Sequence, residues 1–235
     1  MTPPAGNTTS RRDLPTDTDC WIFDLDNTLH PSSNGLLAAI SARMTGFVAD
    51  LLDLDHPSAL IVQKQLFRDH GTTLRGLMND HGVAPRIFHE HVNSVDYDMV
   101  ETDTRLAEAL DRLPGRKLVF TNSSADHAEQ VIERLGISAH IEGVFDAEAA
   151  EYRSKPDPVP YAMLVDRFDV QPHRSIMVED IAPNLAPAAA LGMTTVWLRV
   201  DDLPNPHWTA PGPDADYVHH ETDDLIAWLN RTVVF

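Results

Sequence analysis

The stretch from position 20 to position 29 constrains this chain more than any other. Four apolar residues, Cys-Trp-Ile-Phe, run directly into Asp-Leu-Asp-Asn-Thr at positions 24–28. A short unbroken apolar run that ends in polar, turn-forming residues is typical of a strand buried on both faces. Because side chains alternate along a strand, Asp24 and Asp26 would point to the same side. The stretch therefore predicts a central strand with two carboxylates at the edge where open α/β sheets bind ligands.

The two carboxylates allow two interpretations. Like charges that lie close together do not both ionise easily unless a cation lies between them or one keeps its proton. The pair of Asp24 and Asp26 therefore indicates a divalent metal, an acid–base pair, or both. The alternative is an aspartate-rich turn whose carboxylates accept hydrogen bonds from backbone N–H groups. This stretch alone leaves both interpretations open.

Composition limits the class of protein and its partners. The chain has 235 residues, of which 43% are hydrophobic, enough for one sizeable core or for one domain with an insertion. Its formal net charge of −18 would repel a phosphate backbone, so we expect no polymeric nucleic acid as a partner. No apolar run approaches the about 18 residues that a membrane-spanning helix needs, so no membrane partner is expected.

Cysteine content and the first residues bear on location. Cys20 is the only cysteine, so no disulfide can form within the chain, which favours a reducing, cytoplasmic location. Positions 1–19 are rich in Thr, Pro and Asp and contain no apolar run of the kind found in signal peptides. We therefore predict a disordered lead-in there rather than a signal peptide.

The spacing of apolar residues divides the rest of the chain into two parts. Between positions 33 and 102 the pattern is helical, with one long stripe at Leu37, Ile40, Met44, Phe47, Leu51 and Leu54. A second helix is predicted from His56-Pro57 to about His70, with Gly71 ending it, and two shorter helices at positions 74–78 and 87–92. From position 103 strands and helices alternate, which is typical of a parallel sheet wrapped by helices.

These patterns predict an α/β fold, a doubly wound parallel sheet with an inserted helical cap. The predicted core comprises positions 20–32 and 103–235, and the predicted cap positions 33–102. Further strands are predicted at positions 117–121, 144–145, 175–178 and 194–198, with a candidate edge strand at 215–218. The Pro-rich region at positions 201–213 is predicted to be a surface loop.

Polar residues lie at four places that a parallel sheet would bring to one edge. They are Asp24, Asp26 and Thr28; Thr121, Asn122 and Ser123; Lys155; and Glu179 and Asp180. Taken singly, each has a structural alternative, because hydroxyls and carboxylates commonly cap helices and lysines are commonly solvated. Their joint occurrence at one edge favours a functional site.

This set resembles the motifs of the haloacid dehalogenase superfamily of aspartate-nucleophile phosphohydrolases. The sequence at positions 24–28 matches the first motif, Thr121 the second, Lys155 the third and Glu179-Asp180 the fourth. The resemblance spans about positions 20–198, and the helical block lies where the family has its cap. Asn184 departs from one common form of the fourth motif, which has Asp at that position.

The resemblance implies a Rossmann-like core and a Mg²⁺-dependent phosphatase that acts through an aspartyl-phosphate. Asp24 would be the nucleophile. Asp26 would be the general acid and then the base, which requires a pKa above the ordinary value of about 3.9 in the substrate complex, where a partly dry site could raise it. Mg²⁺ would be held by Asp24, the backbone carbonyl of Asp26 and Asp180, with Glu179 in support.

The remaining residues would bind the substrate. Thr28, Thr121 and the N–H groups of Asn122 and Ser123 would hold phosphoryl oxygens. Lys155 would add a fixed positive charge that this acidic chain otherwise lacks at the site.

A more specific resemblance concerns the substrate. The first motif with its Asn27, together with Gly-Thr-Thr-Leu-Arg-Gly-Leu at positions 71–77, resembles the pyrimidine 5′-nucleotidase branch. It implies a nucleoside monophosphate such as UMP or CMP, with Arg75 contacting the base or the ribose. The alternative is that Arg75 is a solvated surface charge. Cap hinges are expected near Pro31-Ser32 and Glu101-Thr102.

Other functions remain open on the same fold. They are a phosphatase of another small metabolite, such as a sugar phosphate or a phosphoglycolate-like ester, a phosphomutase, a 2-haloacid dehalogenase and a non-catalytic binding protein. Displacing a halide needs neither a general acid nor a metal, so Asp26 and the pair Glu179-Asp180 argue against the dehalogenase. A non-catalytic protein would be expected to lack a motif residue, and none is missing.

Overall fold

The structure, a computed structural model, describes residues 14–31, 35–200, 209–212 and 215–232. Most of the predicted lead-in, much of the predicted loop at 201–213, and Ser32 of the predicted hinge lie outside these residues. Within the described ranges, no helix is both long and apolar enough to cross a membrane.

Six strands among the described residues form one parallel sheet. They are β1 (Cys20–Phe23), β2 (Arg116–Phe120), β3 (Gly143–Phe145), β4 (Ser175–Glu179), β5 (Thr194–Leu198) and β6 (His220–Thr222). Their order is β3-β2-β1-β4-β5-β6, and every neighbouring pair is parallel. Because β1 lies between β2 and β4, the order reverses there. The crevice beyond the carboxyl ends of these strands is the usual ligand site of such sheets.

The first strand is buried on both faces, as predicted. Trp21 and Phe23 point to one side, where their rings stack with centroids 6.2 Å apart. Cys20 and Ile22 point to the other side and belong to a second apolar cluster. Burial also raises the pKa of the Cys20 thiol to about 12, so this thiol stays protonated.

Helices cover both faces of the sheet. The face of Trp21 is covered by α5 (Thr104–Arg112), α6 (Ala125–Leu135) and α9 (Leu225–Thr232). The opposite face is covered by α7 (Pro158–Phe168) and α8 (Leu185–Ala190). The doubly wound fold predicted from the sequence is confirmed.

A helical segment separates β1 from β2. It contains α1 (Leu36–Leu52), α2 (His56–His70), α3 (Thr73–His81) and α4 (Pro85–Val92), and α1 packs against α2 and α4. Gly71 ends α2 with a left-handed backbone (φ 84°), which glycine adopts without strain. The cap boundaries at positions 33 and 102 stay a prediction.

The predicted edge strand at positions 215–218 is wrong. The strand that pairs with β5 is His220–Thr222, and Val218 N–H instead closes a turn onto the carbonyl of Ala215. The Thr195 side chain explains the difference, because its hydroxyl donates to the Tyr217 carbonyl at 2.5 Å. Regular pairing therefore begins only after that side-chain contact.

Candidate active site

Three buried carboxylates meet beyond the carboxyl ends of β1 and β4. Asp24 follows β1 directly, Glu179 is the last residue of β4, and Asp180 comes next. Each is at most 6% exposed, and each offers an oxygen within 4.8 Å of the others. Burial, followed by repulsion from Glu179, raises the pKa values of Asp24 and Asp180.

Lys155 lies between two of these carboxylates. Its Nζ donates to Asp24 Oδ1 and Glu179 Oε2, both at 2.6 Å, and to the Phe120 carbonyl at 2.9 Å. The side chain is buried, so the alternative of a solvated lysine does not hold. Burial alone would lower the pKa of Lys155, but Asp24 and Glu179 outweigh it and raise that pKa. Lys155 therefore carries a positive charge inside the site.

The loop after β2 supports this arrangement. Asn122 Oδ1 accepts a hydrogen bond of 3.0 Å from the backbone N–H of Lys155, and thereby fixes the loop that carries the lysine. Thr121 Oγ1 accepts from the Ser123 N–H at 3.0 Å. The residue that caps α6 is Ser124, so neither Thr121 nor Ser123 has the helix-capping role that was the structural alternative.

Some polar atoms near the motif have no partner among the described residues. They are Asn27 Oδ1, Thr28 Oγ1 and Asp180 Oδ2, all of them buried. Buried polar atoms in native proteins are nearly always satisfied, so these oxygens are available to a ligand or ion. Glu179 differs, because its second oxygen accepts from the Ile181 N–H at 3.2 Å, which is part of the capping role considered for it.

The carboxylate of Asp26 is held by Ser123, a predicted site residue, and by two histidines that were not predicted. Its Oδ2 accepts from the Ser123 hydroxyl at 2.9 Å, while Oδ1 lies 3.0 Å from His127 Nε2 and 3.7 Å from His30 Nδ1. Burial would raise the pKa of Asp26, but His127, His30 and Ser123 outweigh it and lower that pKa. Without substrate, the pKa of Asp26 therefore lies below its ordinary value, and the raised pKa in the substrate complex stays a prediction.

His127 has a second polar contact on its far side. The Tyr97 hydroxyl lies 3.1 Å from His127 Nδ1, and burial raises the pKa of Tyr97 to about 12. His127 falls six positions after Thr121, in the first turns of a helix that begins at the site. That position is the signal by which the sequence could have identified it.

Arg75 lies where the helical segment meets the loop of Lys155. Its Nη1 donates to the carbonyls of Glu151 and Tyr152 at 3.3 and 3.4 Å. Both residues have a left-handed backbone, with φ of 52° and 57°. A contact between Arg75 and a nucleoside stays a prediction.

Comparison with known proteins identifies the family. A family model described as haloacid dehalogenase-like hydrolase matches residues 18–192. This chain belongs to the haloacid dehalogenase-like hydrolases. That membership confirms the resemblance found from the motifs, while the pyrimidine-nucleotidase branch and the roles of the site residues stay predictions.

Two curated relatives of this hydrolase carry names that concern phosphate. "Phosphate metabolism protein 8" of Saccharomyces cerevisiae is 23% identical over 200 residues, covering 77% of this chain but only 62% of that protein. "Phosphoglycolate phosphatase" of Rhodospirillum rubrum is 27% identical over 199 residues, covering 74% of this chain and 77% of that protein.

Solved structures of the family share the fold. The putative HAD-hydrolase YfnB from Bacillus subtilis, bound to magnesium, aligns with a TM-score of 0.61 at 11% identity, covering 94% of this chain and 100% of that chain. L-2-haloacid dehalogenase from Xanthobacter autotrophicus aligns with a TM-score of 0.58 at 13% identity, covering 93% and 99%. At such low identity the likeness concerns the fold alone.

Proposed function

We propose that this hydrolase is a Mg²⁺-dependent phosphatase of small phosphate monoesters that forms an aspartyl-phosphate, with UMP- and CMP-type nucleotides as substrates. One observation carries the proposal: a buried carboxylate, Asp24, is held by a buried cation, Lys155, beside two more acidic side chains. The name of the Rhodospirillum rubrum relative, a phosphoglycolate phosphatase, supports the reaction class.

The donor set suits magnesium. Asp24, Asp180 and the main-chain carbonyl of Asp26 would hold the ion, with Glu179 in support, and an all-oxygen set is what Mg²⁺ prefers. Asp180 Oδ2 is buried without a partner among the described residues, and burial together with repulsion from Glu179 raises the pKa values of Asp24 and Asp180. When bound, Mg²⁺ supplies charge neutralisation between nucleophile and phosphate.

In the proposed reaction the aspartyl-phosphate forms in a first step and is hydrolysed in a second. Asp24 attacks phosphorus and the bond to the leaving oxygen breaks, while Asp26 gives that oxygen a proton. Asp26 then takes a proton from the water that attacks the aspartyl-phosphate, which releases inorganic phosphate and restores Asp24. Lys155 fixes one oxygen of Asp24 and adds positive charge where the phosphate dianion arrives.

Asp26 must carry a proton to act as the acid, so the substrate has to raise its lowered pKa. An arriving phosphate dianion brings like charge close to Asp26, and like charge raises the pKa of a carboxyl group. The hydrogen bonds from Ser123 and His127 then decide where the carboxyl group points when it carries its proton.

Removal of the metal tests the proposed reaction. We expect EDTA to abolish hydrolysis of para-nitrophenyl phosphate and added Mg²⁺ to restore it. Asp180→Ala should raise the half-saturating Mg²⁺ concentration by roughly 10-fold or more, because a charged ligand is lost. A Mg²⁺ titration of initial rates, for wild type and variant, measures this shift.

The exposed Asp50 on α1 provides the matched control. Asp50→Ala removes the same charge and should leave the Mg²⁺ titration unchanged. An unchanged titration for Asp180→Ala would mean that Asp180 is not a ligand. Halide release from a 2-haloacid, with no phosphate release from any ester, would replace the proposed function by that of a dehalogenase.

Arg75 provides a test of the substrate class. We expect UMP and CMP to be hydrolysed faster than AMP and GMP. We expect Arg75→Ala to lower kcat/KM for UMP by roughly 10-fold and to leave para-nitrophenyl phosphate nearly unaffected, because binding energy from a distant contact is lost only by the larger substrate. Steady-state kinetics on both esters measure the difference.

Arg86 on α4, 77% exposed, is the matched control for Arg75. Arg86→Ala should affect neither ester. Equal losses on both esters in Arg75→Ala would instead assign Arg75 to holding the Glu151–Tyr152 backbone near Lys155. A preference for purine nucleotides would remove the pyrimidine assignment and leave the phosphatase chemistry standing.

A further inference from the structure

The side chain of Asp26 is anchored at both oxygens. Oδ2 is held by the Ser123 hydroxyl at 2.9 Å, and Oδ1 by His127 Nε2 at 3.0 Å. His127 itself is 2% exposed, whereas the Asp26 side chain is 22% exposed. The imidazole is therefore a buried support behind a carboxyl group that still faces the open side of the site.

The imidazole of His127 is fixed from its other edge. Its Nδ1 lies 3.1 Å from the Tyr97 hydroxyl, and the two rings are 5.8 Å apart. A carboxylate can only accept, so Nε2 carries a hydrogen in its contact with Asp26. In the neutral imidazole Nδ1 accepts from the Tyr97 hydroxyl, and in the imidazolium Nδ1 donates to it. In both forms the imidazole of His127 is held at both of its nitrogens, by Asp26 on one side and by Tyr97 on the other.

The first turn of α6, which contains His127, has a second hydrogen bond to the segment that follows α4. Ser124 Oγ accepts from the His127 N–H at 3.4 Å and also from Asn93 Nδ2 at 2.8 Å. Asn93 follows α4, and Tyr97 begins the short 3-10 helix Tyr97–Met99 that comes after it. Residues 93–97, which follow the cap helices, therefore contact the first turn of α6 twice: Asn93 at Ser124 and Tyr97 at His127.

We propose that His127 is a positioning residue for Asp26, that Tyr97 holds His127 in place, and that the segment at residues 93–97 thereby sets the direction of the Asp26 carboxyl group. This inference rests on the proposed function, in which Asp26 protonates the leaving oxygen. Proton transfer needs the carboxyl oxygen within hydrogen-bond reach of that atom. A displacement of about 1 Å can cost roughly 100-fold in rate.

The experiment compares esters that differ in how much acid they need. Phenolic esters with electron-withdrawing groups leave easily, whereas alkyl phosphates require protonation of the leaving oxygen. We expect His127→Ala to lower kcat for an alkyl phosphate by roughly 10- to 100-fold and kcat for para-nitrophenyl phosphate by less than about 3-fold. A merely structural role would lower both rates equally.

Two further variants, His127→Gln and Tyr97→Phe, test the positioning role if His127→Ala folds poorly. The amide nitrogen of His127→Gln reaches as far as Nε2, so this variant should recover most of the alkyl phosphate rate. Tyr97→Phe keeps the ring but removes the hydroxyl, and it should show a smaller loss with the same selectivity for poor leaving groups. Equal effects on both esters in Tyr97→Phe and no recovery in His127→Gln would overturn the inference.

Asp26→Asn separates this inference from the proposed function. If Asp26→Asn loses activity equally on all esters, Asp26 is not the acid and the proposed mechanism fails. If Asp26→Asn loses activity mainly on esters with poor leaving groups, but His127→Ala loses it equally on all esters, only the positioning role fails. When Asp26→Asn is already present, adding His127→Ala should lower the rate little further, because the effects of residues that act as one unit are not additive.

Discussion

Asp24→Asn should abolish turnover of every phosphate ester, with kcat falling by roughly 10³-fold or more, as when a covalent nucleophile is removed. The amide cannot attack phosphorus to form the aspartyl-phosphate, and no neighbouring group replaces it at the end of β1. Rapid quenching of the wild type followed by mass spectrometry should detect one phosphoryl group on the peptide that contains Asp24. The variant should lack this adduct.

The same variant should remain folded, which separates chemistry from stability. Burial and repulsion from Glu179 raise the pKa of Asp24, so its charged form destabilises the folded state. A carboxyl group with a raised folded pKa loses its stabilising contribution as pH rises through that pKa. Without Mg²⁺, Asp24→Asn should therefore be at least as stable as the wild type at pH 8, with a smaller advantage at pH 5.

Asp166→Asn, on the exposed surface of α7, is the control for this change. It should alter neither kcat nor the free energy of unfolding. Turnover of more than a few per cent of the wild-type value in Asp24→Asn would contradict the covalent mechanism.

Lys155→Met should have the largest effect on stability. The variant leaves Asp24 and Glu179 buried without the cation that contacts both at 2.6 Å. Removing one partner of a buried ion pair typically costs about 3–5 kcal/mol. We expect a loss of that size in the free energy of unfolding at neutral pH, measured by urea denaturation without Mg²⁺. Phosphatase activity should be lost as well.

The loss in Lys155→Met should depend on pH and on the metal. Without the lysine, the pKa values of the carboxyl groups would rise further, so the variant should lose more stability as pH increases from 5 to 8. Mg²⁺ should stabilise the variant more than the wild type, because the ion would be the cluster's remaining positive charge.

Lys64→Met on the exposed face of α2 is the matched control and should change stability by less than about 0.5 kcal/mol. Wild-type stability in Lys155→Met, with or without Mg²⁺, would mean that the buried ion pair contributes nothing to folding.

The sequence by itself predicted the framework and the acidic residues and lysine that lie at the candidate site. The apolar run at Cys20–Phe23 predicted a strand buried on both faces, and the structure has it at the centre of the sheet. Helix ends such as His70 before Gly71 follow from local backbone preference. The edge strand was not predictable in this way, because its start depends on the side chain of Thr195 in a neighbouring strand.

Only the tertiary structure decided which polar atoms pair with one another at the carboxyl edge of the sheet. Lys155 contacts Asp24 across 131 positions, and His127 contacts Asp26 across 101 positions. Apolar periodicity reports burial and direction within one element, but it contains no information on which elements become neighbours at the strand-order reversal. The lowered pKa of Asp26 follows from these tertiary contacts, because the imidazoles that lower it belong to residues that the fold brings to the carboxylate. Burial, which the sequence predicted, acts in the opposite direction and raises that pKa.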